Sequence, residues 1–345
     1  MMSTVTIIGA GMMGSALAFP LRDNKHEVRL VGTPLDTEII KAAKVDGFHP
    51  TLKRQLPDGI RYFQFDEFKK ALEGADLLLC GVSSFGVDWF AENILRDLPA
   101  SIPVLSVTKG MMNTPDGELI PYPELYRRRL GRNDLSLCAI GGPCTSYELA
   151  DRDQTEVCFC GTDMDLLRRI KEMFETDYYH ISISDDEIGV ECAVALKNAY
   201  ALGVTLAVGL AEARDGKLHY NSQAALFGQS VREMRRLLAI CGGGDDLIYL
   251  GAGDLYVTVF GGRTRLIGTL LGKGMSFDDA MKTLSGVTLE SIVIASRTAE
   301  AVRALAQKGK VNLSDFPLLM HIDELINRGK KVNIPWNAFE SEIRR

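Results

Sequence analysis

The sequence predicts an α/β protein, with an N-terminal Rossmann-type doubly wound sheet followed by an all-α C-terminal domain. Three observations predict it. Short apolar runs alternate with helical patterns through the first half of the chain. A glycine-rich turn, Gly9-Ala10-Gly11-Met12-Met13-Gly14, joins the first run to the first helical pattern. After Asp185-Asp186-Glu187 the alternation stops and the rest reads as helical. At 345 residues the chain exceeds the size at which one core usually stops growing. We therefore expect two domains, residues 1–186 and 187–345.

The elements follow in order. Val5–Ile8 reads as a strand, Ser15–Asn24 as a helix and Glu27–Val31 as a second strand. Further strands are expected at Leu77–Val82, Val104–Val107, Leu137–Ile140 and Val157–Cys160, with Tyr178–Ser184 closing this half. Strands spaced by helices imply a mostly parallel sheet. Beyond residue 186, glycine-rich breaks are expected at Cys241-Gly242-Gly243-Gly244-Asp245, Gly251-Ala252-Gly253-Asp254 and Gly261-Gly262-Arg263. No fixed-period repeat is present.

Composition narrows the class. A formal net charge of -6 gives no support for nucleic acid or an anionic membrane as partner. Seven scattered cysteines, an odd number, do not make a disulfide framework. Cys158 and Cys160 share a strand face without histidines spaced as metal ligands, so no metal is expected. The N-terminus enters a strand with no basic-then-apolar leader, and a cytoplasmic place is expected. The stretch Cys192–Ala211 is nearly long and apolar enough to span a bilayer, interrupted by Lys197 and Asn198. A lysine and an asparagine are costly in lipid, so a buried helix at the centre of the second domain is the better reading.

The glycine loop carries the first chemical signal. Gly9 makes a tight turn, Gly11 lets backbone approach a pyrophosphate, and Gly14 allows close helix–strand packing; Met12 and Met13 open the helix behind them. The helix N-terminus faces the ligand's negative charge. A dinucleotide is the ligand these features serve. An NAD site usually ends its second strand in an acidic residue, but here the strand ends Val31-Gly32-Thr33-Pro34, with Asp36 further on. Thr33 is able to hydrogen-bond a 2′-phosphate, as is Arg29 if it points outward. The cofactor is NAD or NADP, with NADP at least as favoured.

Other residues suit a small anionic substrate. Lys109 follows an apolar strand in Ser106-Val107-Thr108-Lys109-Gly110, at the sheet edge where ligands bind, though a lysine at a turn reads the same way. Gly141-Gly142-Pro143-Cys144 exposes backbone amides after another strand, or is simply a turn. Lys197 and Asn198 lie inside the apolar helical run. Burial disfavours the ammonium form, which suits a group that gives and takes a proton near neutrality; a snorkelling lysine is the plainer reading. Asp254 is placed to pair with such a lysine or to cap a helix, and Thr258 follows one turn later. In Gly261-Gly262-Arg263-Thr264-Arg265 an arginine after two glycines can fork onto phosphate oxygens.

Together these segments resemble the soluble NAD(P)-dependent glycerol-3-phosphate dehydrogenases of prokaryotic type. The similarity runs in family order through Gly9–Gly14, Val107–Gly110, Gly142-Pro143, Ala195–Asn198, Gly253-Asp254-Leu255 and Gly261–Arg263. The resemblance implies that Lys197 donates and accepts the proton at the carbinol oxygen. It implies that Lys109 contacts cofactor and substrate, and that Gly142 and Cys144 hold substrate. It places Ser146 against the cofactor, Asn198, Asp254, Thr258, Gly262 and Thr264 at the substrate, Arg263 at both, and Glu290 late in the cofactor site. It further implies reversible hydride transfer between nicotinamide and dihydroxyacetone phosphate, in glycerophospholipid metabolism; a homodimer is open.

The chain departs from the family pattern in three places. The family's Gly-Arg-Asn reads Gly262-Arg263-Thr264, Cys144 stands where Ser, Thr or Ala is usual, and the stretch Thr288-Leu289-Glu290 lacks the Glu-Gly pair. Two other readings stay open. One is a reductase of the same build for another phosphorylated hydroxyketone or a 2-keto acid. The other is a non-catalytic dinucleotide-binding sensor.

Overall fold

Val5, Ile7 and Ile8 are fully buried in β1 (Thr4–Ile8), where β-branched side chains suit a sheet covered on both faces. The computed structural model describes residues 2–287 and 289–339. After β1 come helices α1 (Met12–Ala16) and α2 (Ala18–Asp23), β2 (Glu27–Val31) and α3 (Thr37–Asp46). A small pair, β3 (Phe48–His49) with β4 (Arg54–Gln55), precedes β5 (Arg61–Phe63) and α4 (Phe68–Leu72). Next are β6 (Leu77–Cys80), α5 (Val87–Asn93) and β7 (Val104–Ser106), then a hairpin of β8 (Met111–Asn113) and β9 (Leu119–Pro121). The half closes with α6 (Tyr122–Leu130), β10 (Leu137–Gly141), α7 (Ser146–Ala150), β11 (Thr155–Cys160), α8 (Met164–Phe174) and β12 (Tyr179–Ser184).

Eight strands make one sheet in the order β12-β11-β10-β7-β6-β1-β2-β5. Every pairing in it is parallel except β10 with β11. The link between those two carries only the five-residue α7, too little helix to lay across a sheet face. The strand order reverses at β1, which pairs β2 on one side and β6 on the other. Ligands of open α/β sheets bind beyond the carboxyl ends of strands at such a reversal.

Two expectations about this half are corrected. The helix expected over Ser15–Asn24 is two helices that meet at Leu17. Pro20 has no N–H to give the Ala16 carbonyl, so the ladder breaks one turn before it. The hairpin β8–β9 and the edge strand β5 were also not expected, because three-residue strands are too short to show a period.

The chain divides into two compact units. One runs to Lys109 and resumes at Tyr122–Glu191; the other is Gly110–Pro121 with the chain from Cys192 onward. The second unit holds seven α-helices among its described residues. They are α9 (Glu187–Asp215, whose first turn belongs to the first unit), α10 (Tyr220–Cys241), α11 (Ile248–Phe260), α12 (Gly262–Gly272), α13 (Phe277–Thr283), α14 (Glu290–Gln307) and α15 (Pro317–Arg328). Its hairpin lies on α14, where Arg297 donates to the Met111 carbonyl, Asn113 to Glu300, and Lys308 to Asp116 at 2.5 Å.

The most apolar window of α9 is 89% buried, which makes it the core helix of this unit. The break expected at Gly251-Ala252-Gly253 is not there, since α11 runs through it unbroken. A Cβ at Gly251 would stand 2.4 Å from the Ala193 carbonyl oxygen of α9. The glycine therefore brings two helices into backbone contact rather than ending one, which sets α11 close against the face of α9 that carries Lys197.

Candidate functional site

The glycine loop between β1 and α1 is held by its neighbours. Gly9 has φ +108°, and a Cβ there would meet the Gly81 carbonyl at 2.7 Å. A Cβ on Gly14 would lie 2.3 Å from the Gly9 oxygen, so α1 rests directly on the end of β1. Gly11 differs: a Cβ would meet nothing nearer than the Gly81 oxygen at 4.0 Å. Two of the glycines are needed for packing, and the third leaves room above the backbone. Gly11 is the N-cap of α1 and brings no side-chain cap, so the first amides of that helix lack an intrahelical partner. Met12 and Met13, half-buried, are its first two residues.

A cleft of about 450 Å³ opens beside this loop, lined by Gly9, Gly11, Thr33, Asp36, Ser83 and Trp89 among others. Its volume suits part of a dinucleotide. Ala10, between the first two glycines, is fixed on both sides. Its N–H donates to the Asp36 carboxylate at 3.1 Å. Its carbonyl accepts from His49 Nε2 at 2.9 Å, the tautomer being set because His49 Nδ1 accepts from the Leu52 amide. Burial holds the His49 imidazole below its usual range, hence neutral. Asp36 also accepts from the amide and hydroxyl of Thr33, at 2.8 and 2.7 Å.

The sequence reading missed Asp36, His49 and Gly81, and only Asp36 had a signal, an acidic residue just beyond β2. It set Asp36 aside as too far on, but the turn after β2 folds it back to the cleft. Thr33 lies in the cleft wall with its hydroxyl proton given to Asp36. Arg29 does not point outward to the cleft. It is engaged by Glu27 and by the carbonyls of Ala71 and Glu73.

At the ends of β7 and β10, Lys109 Nζ donates to the Gly142 carbonyl at 2.7 Å. Gly142, with φ +118°, turns the chain after β10. Cys144 is half-buried nearby in sequence, and Ser146 is the buried first residue of α7. The structure thus brings Lys109 and Gly142 together in the first unit.

In the second unit, Lys197 Nζ donates to Asp254 Oδ1 at 2.5 Å. The side chains are 13% and 1% exposed, so the pair is nearly dry. Asp254 sits in the middle of α11 and caps nothing. Thr258 bonds back to the Asp254 carbonyl at 2.7 Å, and Asn198 is buried beside Lys197 in sequence. Arg263 is exposed in the first turn of α12 and makes no ion pair among the described residues. Thr264 next to it is buried, its carbonyl 3.5 Å from the Thr205 hydroxyl. Of Gly262 only its place at the start of α12 is described, and Thr288 lies outside the described residues. Glu290 opens α14, a different helix from those of Lys197 and Asp254.

The family model for the C-terminus of NAD-dependent glycerol-3-phosphate dehydrogenase matches residues 186–336, and that for the N-terminus matches residues 4–167. The chain belongs to the NAD-dependent glycerol-3-phosphate dehydrogenase family. It is an NAD(P)-dependent oxidoreductase of the kind that acts on a CH–OH group. It is 37% identical over 334 residues to an NADP(+)-dependent glycerol-3-phosphate dehydrogenase of Archaeoglobus fulgidus, covering 95% of this chain and 96% of that one. It is 30% identical to a glycerol-3-phosphate dehydrogenase [NAD(P)+] of Koribacter versatilis, covering 95% and 94%. The fold is similar to that of Plasmodium falciparum glycerol-3-phosphate dehydrogenase, at a TM-score of 0.84 and 19% identity over 100% of this chain and 97% of that one.

Proposed function

We propose that the chain interconverts dihydroxyacetone phosphate and sn-glycerol 3-phosphate, with Lys197 as proton donor and acceptor. The observation that carries this reading is the nearly dry Lys197–Asp254 pair on α9 and α11. A lysine buried with one carboxylate keeps its ammonium and holds it in a fixed direction.

In the reducing direction the ammonium donates to the ketone oxygen and passes its proton as the alkoxide forms. Asp254 then faces a neutral amine, and a proton from solvent restores the pair. Asp254 is thus a positioning residue in this scheme. Lys109 and Arg263 supply positive charge to the substrate phosphate, Arg263 through its planar fork. Asn198, Thr258 and Thr264 offer hydrogen bonds, and Gly142 and Cys144 complete the substrate contacts.

The first unit is proposed as the dinucleotide-binding part and the second as the catalytic part. The open space over Gly11 fits the pyrophosphate, with Gly9, Gly14, Met12, Met13, Thr33, Ser146, Arg263 and Glu290 as further contacts. When bound, the reduced nicotinamide supplies the hydride. The cofactor is NAD or NADP, with NADP at least as favoured, since Thr33 lies in the cleft wall and an Archaeoglobus relative is NADP(+)-dependent. A cytoplasmic place is proposed because none of the seven cysteines forms a disulfide. A homodimer is proposed on the exposed stripe of Tyr249, Tyr256 and Phe260 along α11. Light scattering at a monomer mass would remove it.

The test of the reading is oxidation of NADPH and NADH with dihydroxyacetone phosphate. Turnover that Lys197→Ala abolishes, with cofactor binding kept, is the expected result. Turnover of another ketone but not of this one overturns the substrate. Tight cofactor binding with no turnover on any ketone overturns the enzyme.

A further inference from the structure

Glu191 is a buried acidic residue that neither the fold nor the proposed chemistry uses. It is 1% exposed, and both carboxyl oxygens lack a hydrogen-bond partner among the described residues. A carboxylate buried without donors is strongly disfavoured, so a group in this setting keeps its proton. Proteins rarely retain such a group without a task.

Its surroundings say what the task is. One turn earlier on α9, Glu187 is gripped by Arg127 of α6 through two 2.8 Å hydrogen bonds, so that charge is already neutralised. Tyr126 of α6 and Cys160 of β11 are close enough to feel a charge on Glu191; burial pushes both of these groups up, and they are neutral. From the end of β7 comes Lys109, the cation that acts on Glu191. Burial first, and Glu187 second, push the Glu191 carboxyl well above the usual carboxylate range, while Lys109 pulls it down. The ammonium, meanwhile, is held on the Gly142 carbonyl at 2.7 Å.

We propose that Glu191 is a positioning residue for Lys109: protonated, it leaves the ammonium on the Gly142 carbonyl with its charge directed at a phosphate-bearing ligand, and ionised, it draws the ammonium into an ion pair and weakens ligand binding. The proton lost on ionisation goes to solvent. A bound anion and an ionised Glu191 compete for one cation, so anion binding and proton uptake are linked. This inference rests on the assignment of Lys109 to the ligand site.

The test compares wild type, Glu191→Gln and Glu191→Leu across the neutral to alkaline range. Two readouts are taken, KM against kcat for dihydroxyacetone phosphate and the dissociation constant of NADPH by its fluorescence. In the wild type, KM rises about tenfold with pH, because an ion pair with Lys109 forms and withdraws its charge from the phosphate. Both variants, which cannot ionise, hold that rise below about threefold and shift neutral-pH KM modestly, with kcat following less. A wild-type profile that both variants reproduce overturns the proposal, as does a flattening seen in one variant only. A loss of melting temperature with an unaltered profile assigns Glu191 to packing and also overturns it. Wild type that binds NADPH but does not turn over this ketone overturns the substrate instead. The NADPH constants of the three proteins then decide the proposal alone.

Discussion

The two units each hold a half-buried lysine near chemistry-bearing residues, and they treat it in opposite ways. In the second unit Lys197 meets a carboxylate at 2.5 Å, and Thr258 bonds the backbone of that same aspartate. In the first unit Lys109 meets a neutral carbonyl, and the nearby acid, Glu191, is one that burial keeps protonated. A lysine tied to a charged partner has a fixed direction and a proton to give. A lysine on a carbonyl keeps a net positive charge for an anion. On the proposed chemistry Lys197 handles a proton and Lys109 holds an anion, although both are half-buried cations.

The largest expected break comes at Lys197. Lys197→Met removes the proposed proton donor, and kcat is expected to fall by about 10³-fold or more, while the NADPH dissociation constant stays within a few-fold. It also leaves Asp254 buried without its counter-charge, which costs about 3 kcal/mol in a denaturant melt. Asp254→Asn comes next: Lys197 stays but loses its fixed direction, and kcat falls by about 10²-fold with a smaller change in KM. If KM carries the loss instead, Asp254 holds substrate rather than Lys197.

Lys109→Gln is expected to act in the other way, through an anion. KM for dihydroxyacetone phosphate rises by about tenfold or more, with kcat reduced less. Equal losses in kcat for the Lys197 and Lys109 variants would erase the distinction.

A buried acid with donors makes the contrast sharper still. Glu233 accepts from Gln229 and from the Leu318 and Leu319 amides at the start of α15. Burial outweighs these bonds and raises its carboxyl to about 7. The folded value lies above the unfolded one, so its contribution to stability is complete below the unfolded value near 4.5 and is lost as pH rises through about 7. The span is worth about 3 kcal/mol, and Glu233→Gln should flatten the slope of stability between those pH values. The smallest effect is at Thr264. Thr264→Asn restores the residue usual in the family and is expected to lower KM about twofold, as one added hydrogen bond allows. A higher KM would show that the buried Thr264 sits where asparagine does not fit.

Much of this molecule is legible in the residues, for local reasons. Gly9, Gly11 and Gly14 announce a strand–turn–helix because each glycine answers a steric demand within a few residues of itself. The core strands announce themselves as apolar runs, since both faces are covered. What escaped depends on partners distant in sequence. Asp36 reaches the cleft only because a turn sends it back to the Ala10 amide, 26 residues earlier. His49 shows no pattern at all until its ring is seen between Ala10 and Leu52. Gly251 looked like a helix break because a glycine in contact with another helix and a glycine in a turn are written with the same letter. Glu191 stands about one and a half turns before Lys197 in the same helix, but the role proposed for it depends on Lys109, which is 82 residues away.

The hairpin of residues 110–121 bears on how such a chain can be recombined. Its strands pack on α14, bound by Arg297, Asn113 and Lys308, although its residues are encoded well before those of any helix in the second unit. A chimaera spliced at residue 186 between two family members would therefore inherit a hairpin from one parent and the helix it rests on from the other. Crossovers that move both pieces together should yield folded progeny more often. The natural module is a pair of segments rather than a half of the gene.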